Sequence, residues 1–395
     1  MIVVGVMIGL GLAASWVLFY RFPGLEQADP QDQGNKRPRL SIIIPARNEE
    51  QNLALLLGDL KNQTLEIHEI ICVDDGSTDQ TAEIATAAGV TLITAAPKPA
   101  GWLGKSWACQ QGGAAASGTL LLFLDADVRL SPTGIGKLLK AHQSTGRVVS
   151  VMPYHQIENK TEALSLFFNC LQMGANGLGL PVGRDQNKPS NDQKQQAQKN
   201  KKQKNEKSSH PYQIGLYGPV IVISRTDYQA VGGHAAIKDS IVDDMALGEK
   251  LREKNIPFAL FLGDQDVSYR MYGGGLRQLI QGWTKNQAAG VAKTPLLILV
   301  LVFFWITASA SAPLYLVLSL VWQQWLWSAI LAAGYGIWVL ELHRIARHIG
   351  SFSMIDIVCY PLLLLFYLLI FLRSLAKKIL GRPVIWKDRE IRLDK

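Results

Sequence analysis

The stretch TLLLFLDADVRL, residues 119–130, sets an apolar run from Leu120 to Leu124 directly against two carboxylates, Asp125 and Asp127, with one alanine between them. Two hard oxygen ligands at i and i+2, just past a buried strand, suit Mg²⁺ or Mn²⁺ held jointly with the phosphates of a substrate. Two more polar stretches, PARNEE at residues 45–50 and DDGSTD at 74–79, also follow short β-rich runs. An acidic turn taken alone is equally well a helix cap or a solvated loop, and DDGSTD leaves both readings open. A further acidic pair, Asp243 and Asp244, opens DDMALGEKLREK, where carboxylates in a first helical turn also suit the helix dipole.

The elements that would position these groups can be read from periodicity. Residues 40–44 form a strand, and Asn48 caps a helix whose Leu53, Leu56, Leu57 and Leu60 recur at helical spacing. Residues 69–73 are a second strand; Ser77, Thr78 or Asp79 caps a helix running to Ala88, and Gly89 stops it. Strands at 90–94, 119–124 and 147–152 alternate with helices at 106–117 and after Pro132. This βαβ series predicts an α/β fold with a mostly parallel sheet covered by helices on both faces. Ligands of such sheets bind at the carboxyl ends of the strands, so the three polar loops converge on one rim.

Composition sets the surroundings of that module. Residues 1–20, 295–322, 325–340 and 354–372 are apolar, apart from Asp356 in the last, and each is near the ~20 residues that cross a bilayer as a helix. The first lacks a basic leading region and a small-residue cleavage site, so it reads as an uncleaved anchor rather than a signal peptide. The expected organisation is an anchor at 1–20, a module at 38–290, a membrane region of two or three hydrophobic helices at 295–372, and a basic tail at 373–395. Within the module, 185–209 lacks any large apolar residue and is expected to be a disordered insertion. The net charge of +8 gathers partly there and in the tail. Basic segments beside a bilayer attract anionic headgroups, and without interleaved aromatics they exclude a nucleic-acid platform. Cys72, Cys109, Cys170 and Cys359 form no CxxC pair, which speaks against a disulfide framework or zinc knuckle and for a cytosolic module.

Two motifs fail on inspection. GWLGKS at 101–106 ends like a phosphate-cradling loop but carries Pro99 where the leading glycine is required, and GLGLPVG at 177–183 follows a helical pattern instead of a strand.

Taken in order, SIIIPARNEE, IICVDDGSTD, GKSWACQQG, LLFLDADV and VDDMALG resemble the family 2 inverting glycosyltransferases of the GT-A fold, over residues 40–290. The resemblance implies that Pro45, Ala46, Glu49, Asp74 and Asp75 surround the nucleoside, that Lys105 lies near the nucleotide, and that Asp125 and Asp127 bind the diphosphate through Mn²⁺ or Mg²⁺. It also implies a catalytic base in the pair Asp243 and Asp244, with Asp244 chosen by alignment. Where processive members carry Q-x-x-R-W, this chain has QLIQGWTKN, which keeps Trp283 as a donor-site residue but has no arginine before it, so polymer synthesis loses support. GWTKN, GWLGKSWA and VIWKDRE are more similar to the membrane-anchored branch associated with carotenoid and hopanoid pathways. That branch implies a UDP-sugar donor, a lipid acceptor, and an inner or plasma membrane location with the module in the cytosol. The alternatives are a nucleotide-sugar-binding membrane protein without turnover and a polysaccharide-chain glycosyltransferase. Four full crossings would place the basic tail outside, against the positive-inside rule; Asp356 and Pro361 suggest instead that the last apolar segment is re-entrant or interfacial. His234, in VGGHAA, could be a further metal or acceptor contact, but a loop histidine is more often solvated and it is left out of the site.

Overall fold

The computed structural model describes residues 2–27, 38–181, 213–291, 294–386 and 389–391; the expected insertion at 185–209 lies outside them. The chain divides into two compact units, one of Gly24–Met152 with Val182–Val267, the other of Met1–Pro23, Pro153–Pro181 and Ser268–Lys395.

The first unit is built on a sheet of seven strands: β1 (Leu40–Ala46), β2 (Glu69–Asp74), β3 (Thr91–Thr94), β4 (Leu120–Leu124), β5 (Val148–Met152), β6 (Val220–Ser224) and β7 (Phe258–Leu262). Their spatial order is β3-β2-β1-β4-β6-β5-β7. Neighbours pair parallel, except that β6 runs antiparallel to both β4 and β5. Every residue of β4, β5 and β7 is buried, as expected of strands covered on both faces. The mostly parallel α/β sheet expected from the sequence is therefore present, and β6 is the strand that breaks its rhythm.

Local chemistry explains some of the element boundaries. The helix Glu50–Lys61 buries the four leucines at helical spacing. Asn48 does not cap it: the N-cap is Glu49, with no side-chain bond, while Asn48 takes φ 49° and turns its side chain to the neighbouring loop. The next helix, Thr81–Ala87, ends before Gly89, whose φ of +73° few other residues tolerate. The helix Gly104–Ala115 lies tightly on the sheet. A Cβ on Gly112 would stand 2.4 Å from Ile43 Cγ2 of β1 and 3.0 Å from Val73 Cγ2 of β2, so only glycine lets the helix approach this closely.

The second unit is helical. Two of its helices, Leu296–Val321 and Trp325–Ile349, are long and apolar enough to cross a membrane, and the apolar N-terminal helix Ile2–Leu18 is shorter. Phe303, Leu314, Val317, Leu326 and Leu340 are exposed on the long pair. Inside the unit, a Cβ on Gly11 would lie 2.1 Å from Ala308 Cβ. Ser15 donates to Glu341 Oε1 at 2.6 Å, and Trp305 Nε1 donates to Ser15 at 3.2 Å. The last apolar segment is broken. Ser353 and Asp356 form a capping box on the short helix Met354–Val358, Lys160 pairs with Asp356 at 2.7 Å, and a new helix, Tyr360–Ile379, restarts with Pro361 in its first turn.

Candidate active site

The carboxyl ends of β1 and β2 are knitted into one platform. Ala46 is in register with Asp74, and the Asp75 N–H donates to Ala46 O at 2.9 Å. Asn48 donates its N–H to Ser77 Oγ at 3.0 Å and accepts the Thr78 N–H at 2.8 Å. Arg47 Nη1 donates to Asp75 O, also at 2.9 Å. Asp74, 5% exposed, accepts the Ser77 N–H at 3.1 Å as well as the Ser77 hydroxyl, and Asp79 accepts the Glu50 and Thr81 N–H groups. These two acids of DDGSTD thus shape the loop. Glu49 is half-buried, with Asn52 Nδ2 donating to its carboxylate at 2.6 Å.

Next to this platform, β4 delivers Asp125 and the first turn of the Gly104–Ala115 helix delivers Lys105. The Lys105 ammonium lies 2.7 Å from Asp125 Oδ1 and 2.8 Å from Oδ2. The Asp125 N–H donates to Pro219 O at 2.9 Å, which fixes the approach to β6. Directly before Pro219, the Gly218 N–H donates to Asp244 Oδ2 at 2.9 Å, while Met245 N–H donates to Asp244 Oδ1 at 2.8 Å. The helix Asp243–Glu253 starts here, and both its leading acids line the cavity together with Pro45, Lys105, Asp125 and His234. A Cβ on Gly218 would sit 3.3 Å from Asp244 Oδ2 and 3.4 Å from Lys105 Nζ. Glycine at this position keeps the space between the acid and the ammonium open.

Burial sets the charges. Loss of water raises the Asp244 carboxyl to about 6, helped by the neighbouring Asp243 charge and opposed by Lys105 and the two backbone N–H groups. Burial pulls Lys105 down, but Asp125 and Asp243 outweigh it and hold the ammonium above its ordinary value. His234 is driven down to about 4 by burial and is therefore neutral near pH 7.

Asp127 is half-buried in the turn after β4. Among the described residues no group of three His, Cys, Asp or Glu side chains gathers as a metal site. What the chain offers is the pair Asp125 and Asp127. Two carboxylates fit a hard divalent cation whose other ligands are diphosphate oxygens and water, the usual way Mg²⁺ is held.

One sequence expectation is corrected. His234 is no solvated loop residue: it is 3% exposed, lies in the cavity wall, and meets the Tyr228 hydroxyl at 2.8 Å through Nδ1. Trp283 belongs to the helical unit, where it is 3% exposed, stacks on Phe168 at 4.5 Å and donates its indole N–H to Ser165 at 3.2 Å. Its ring packs within that unit. Gly218 was missed altogether; the GLYGPV run before the apolar VIVIS was its only signal.

A sheet of this order with acids gathered at its rim is the architecture of GT-A glycosyltransferases. Residues 41–211 match the family Glycosyl transferase family 2. The chain is 31% identical over 360 residues to the 4,4'-diaponeurosporenoate glycosyltransferase of Staphylococcus aureus strain USA300, covering 90% of this chain and 89% of that protein. The counterpart from strain MRSA252 matches equally, at 31% identity over the same shares. In structure, the chain is similar to the mannosyltransferase PcManGT from Pyrobaculum calidifontis, solved with GDP-Man and Mn²⁺, with a TM-score of 0.53 and 17% identity over 95% of this chain and 97% of that one. This protein is a glycosyltransferase. It belongs to glycosyl transferase family 2.

Proposed function

We propose that the enzyme transfers a sugar, with inversion, from a UDP-sugar to a hydroxyl or carboxyl group of a carotenoid-, hopanoid- or polyprenol-like lipid at a membrane. The observation that carries this reading is Asp244. Its carboxylate is aimed by two backbone N–H groups, is raised to about 6, and lies within 3.3 Å of the point above Gly218 that Lys105 Nζ approaches from the other side. A carboxylate so held accepts the acceptor's proton as the acceptor oxygen bonds to the anomeric carbon. The bond from that carbon to the diphosphate oxygen breaks, and its electron pair leaves with the nucleotide. Asp125 and Asp127 would hold the Mn²⁺ or Mg²⁺, which supplies neutralisation of the diphosphate charge. Pro45, Ala46, Glu49 and Asp75 would border the nucleoside, with Asp74 holding their loop in shape.

The lipid acceptor is supported by the carotenoid-type acceptor in the name of the S. aureus relatives and by the exposed apolar helices of the second unit. The same helices support an integral membrane protein, with the sheet unit on the cytosolic side, where nucleotide sugars are made.

Asp244→Asn tests the base. With the oriented carboxylate lost, the transfer rate should fall by roughly 10²–10⁴ while UDP-sugar affinity, measured by calorimetry, stays nearly constant; Asp243→Asn should cost less. An undiminished rate in Asp244→Asn would mean the acceptor needs no base here, and the role would fall.

A further inference from the structure

Lys105 takes both oxygens of Asp125, at 2.7 and 2.8 Å, and so covers the carboxylate that a cation at the Asp125–Asp127 pair would need. Its own position is otherwise unfavourable. It stands in the first turn of the Gly104–Ala115 helix, where no acidic side chain is present and no side chain caps the N-terminus. An ammonium at a helix N-terminus opposes the dipole, and an anion there is stabilised.

We propose that Lys105 is the internal counter-ion of the donor site: it neutralises Asp125 in the nucleotide-free enzyme and releases it to the divalent cation when a diphosphate gives the ammonium a new partner. This rests on the metal reading of Asp125 and Asp127 above. Two cations on one half-buried carboxylate repel each other, and a further anion relieves that repulsion. The diphosphate supplies that anion beside a helix start, and a flexible four-carbon stem lets the ammonium follow it. Metal and nucleotide binding are then coupled through this side chain, and the coupling must be reciprocal.

The test is Mn²⁺ affinity, read from the paramagnetic resonance signal of free Mn²⁺ with the full-length protein in detergent, with and without UDP. Wild-type enzyme should bind Mn²⁺ weakly alone and more tightly with UDP. In Lys105→Gln, nucleotide-free Mn²⁺ affinity should rise by roughly tenfold, within the usual range of coupling energies, and the enhancement by UDP should shrink. Lys105→Met keeps the apolar stem packed and should behave the same; in both variants Mn²⁺ alone should raise the thermal unfolding midpoint more than in wild type. Unchanged or weaker nucleotide-free Mn²⁺ binding in folded variants, with UDP-dependent binding intact in wild type, overturns the counter-ion role alone. No Mn²⁺ binding by wild type even with UDP takes down the metal assignment as well.

Discussion

The titration of Asp244 is open to measurement, because a base raised to about 6 is only partly ionised in mildly acidic solution. The sign is fixed: the working form is the carboxylate, so activity needs pH above that value. We expect kcat/KM, which reports the free enzyme, to fall about tenfold per pH unit below pH ~6 and to level off above it. The dependence should be lost in Asp244→Asn. A profile flat down to the ordinary carboxylate range would show that another group accepts the proton. At this scale the sequence pointed to Asp125, Lys105 and Asp244, because each sits in a motif whose neighbours repeat the message, and the structure brings the three into one cavity wall. It concealed His234 and Gly218. The burial of His234 depends on Tyr228 and on Phe123 of β4, 4.9 Å away ring to ring, and Gly218 matters only for the two side chains it leaves room for.

Among the elements, the helix that carries Lys105 is held to the sheet by the absence of a side chain at Gly112. Gly112→Ala places a methyl group 2.4 Å from Ile43, so the helix must lift, at a cost of ~1–3 kcal/mol typical of overpacking. Denaturant unfolding should show that loss, with weakened UDP binding because Lys105 moves along; unchanged stability would mean the contact is soft. The first strands and helices were legible because β1, β2, β4 and β5 are apolar runs bounded by turn residues, in the rhythm of a parallel sheet. That rhythm ends after Met152. Neither β6 nor β7 was anticipated, and the reversed direction of β6 between β4 and β5 has no local signature: VIVIS would read the same in either direction. Asn48 fails as a cap for the same kind of reason, since its partners are Ser77 and Thr78, about thirty residues away.

For the whole molecule, the second unit exposes too much apolar surface for water. Phe303, Val317, Leu326, Leu340, Leu362 and Leu369 are each more than half exposed, and large exposed apolar area marks a membrane or a partner. We expect the protein to stay with the membrane pellet through an alkaline carbonate wash and to be released by detergent. Release by carbonate alone would show that Leu296–Val321 and Trp325–Ile349 do not span.

The bond between Ser15 and Glu341 joins positions 326 residues apart, and it bears on how the protein is made. At ~5–20 residues per second, the ribosome needs roughly 16–65 seconds to travel from one to the other. For most of that interval, until residues 305–308 are made, Ser15 lacks Trp305 and Gly11 lacks the Ala308 that its missing side chain admits. A polypeptide cut short anywhere before the long helices therefore leaves the Gly11 notch and the Ser15 hydroxyl without the side chains that fill the one and bond the other.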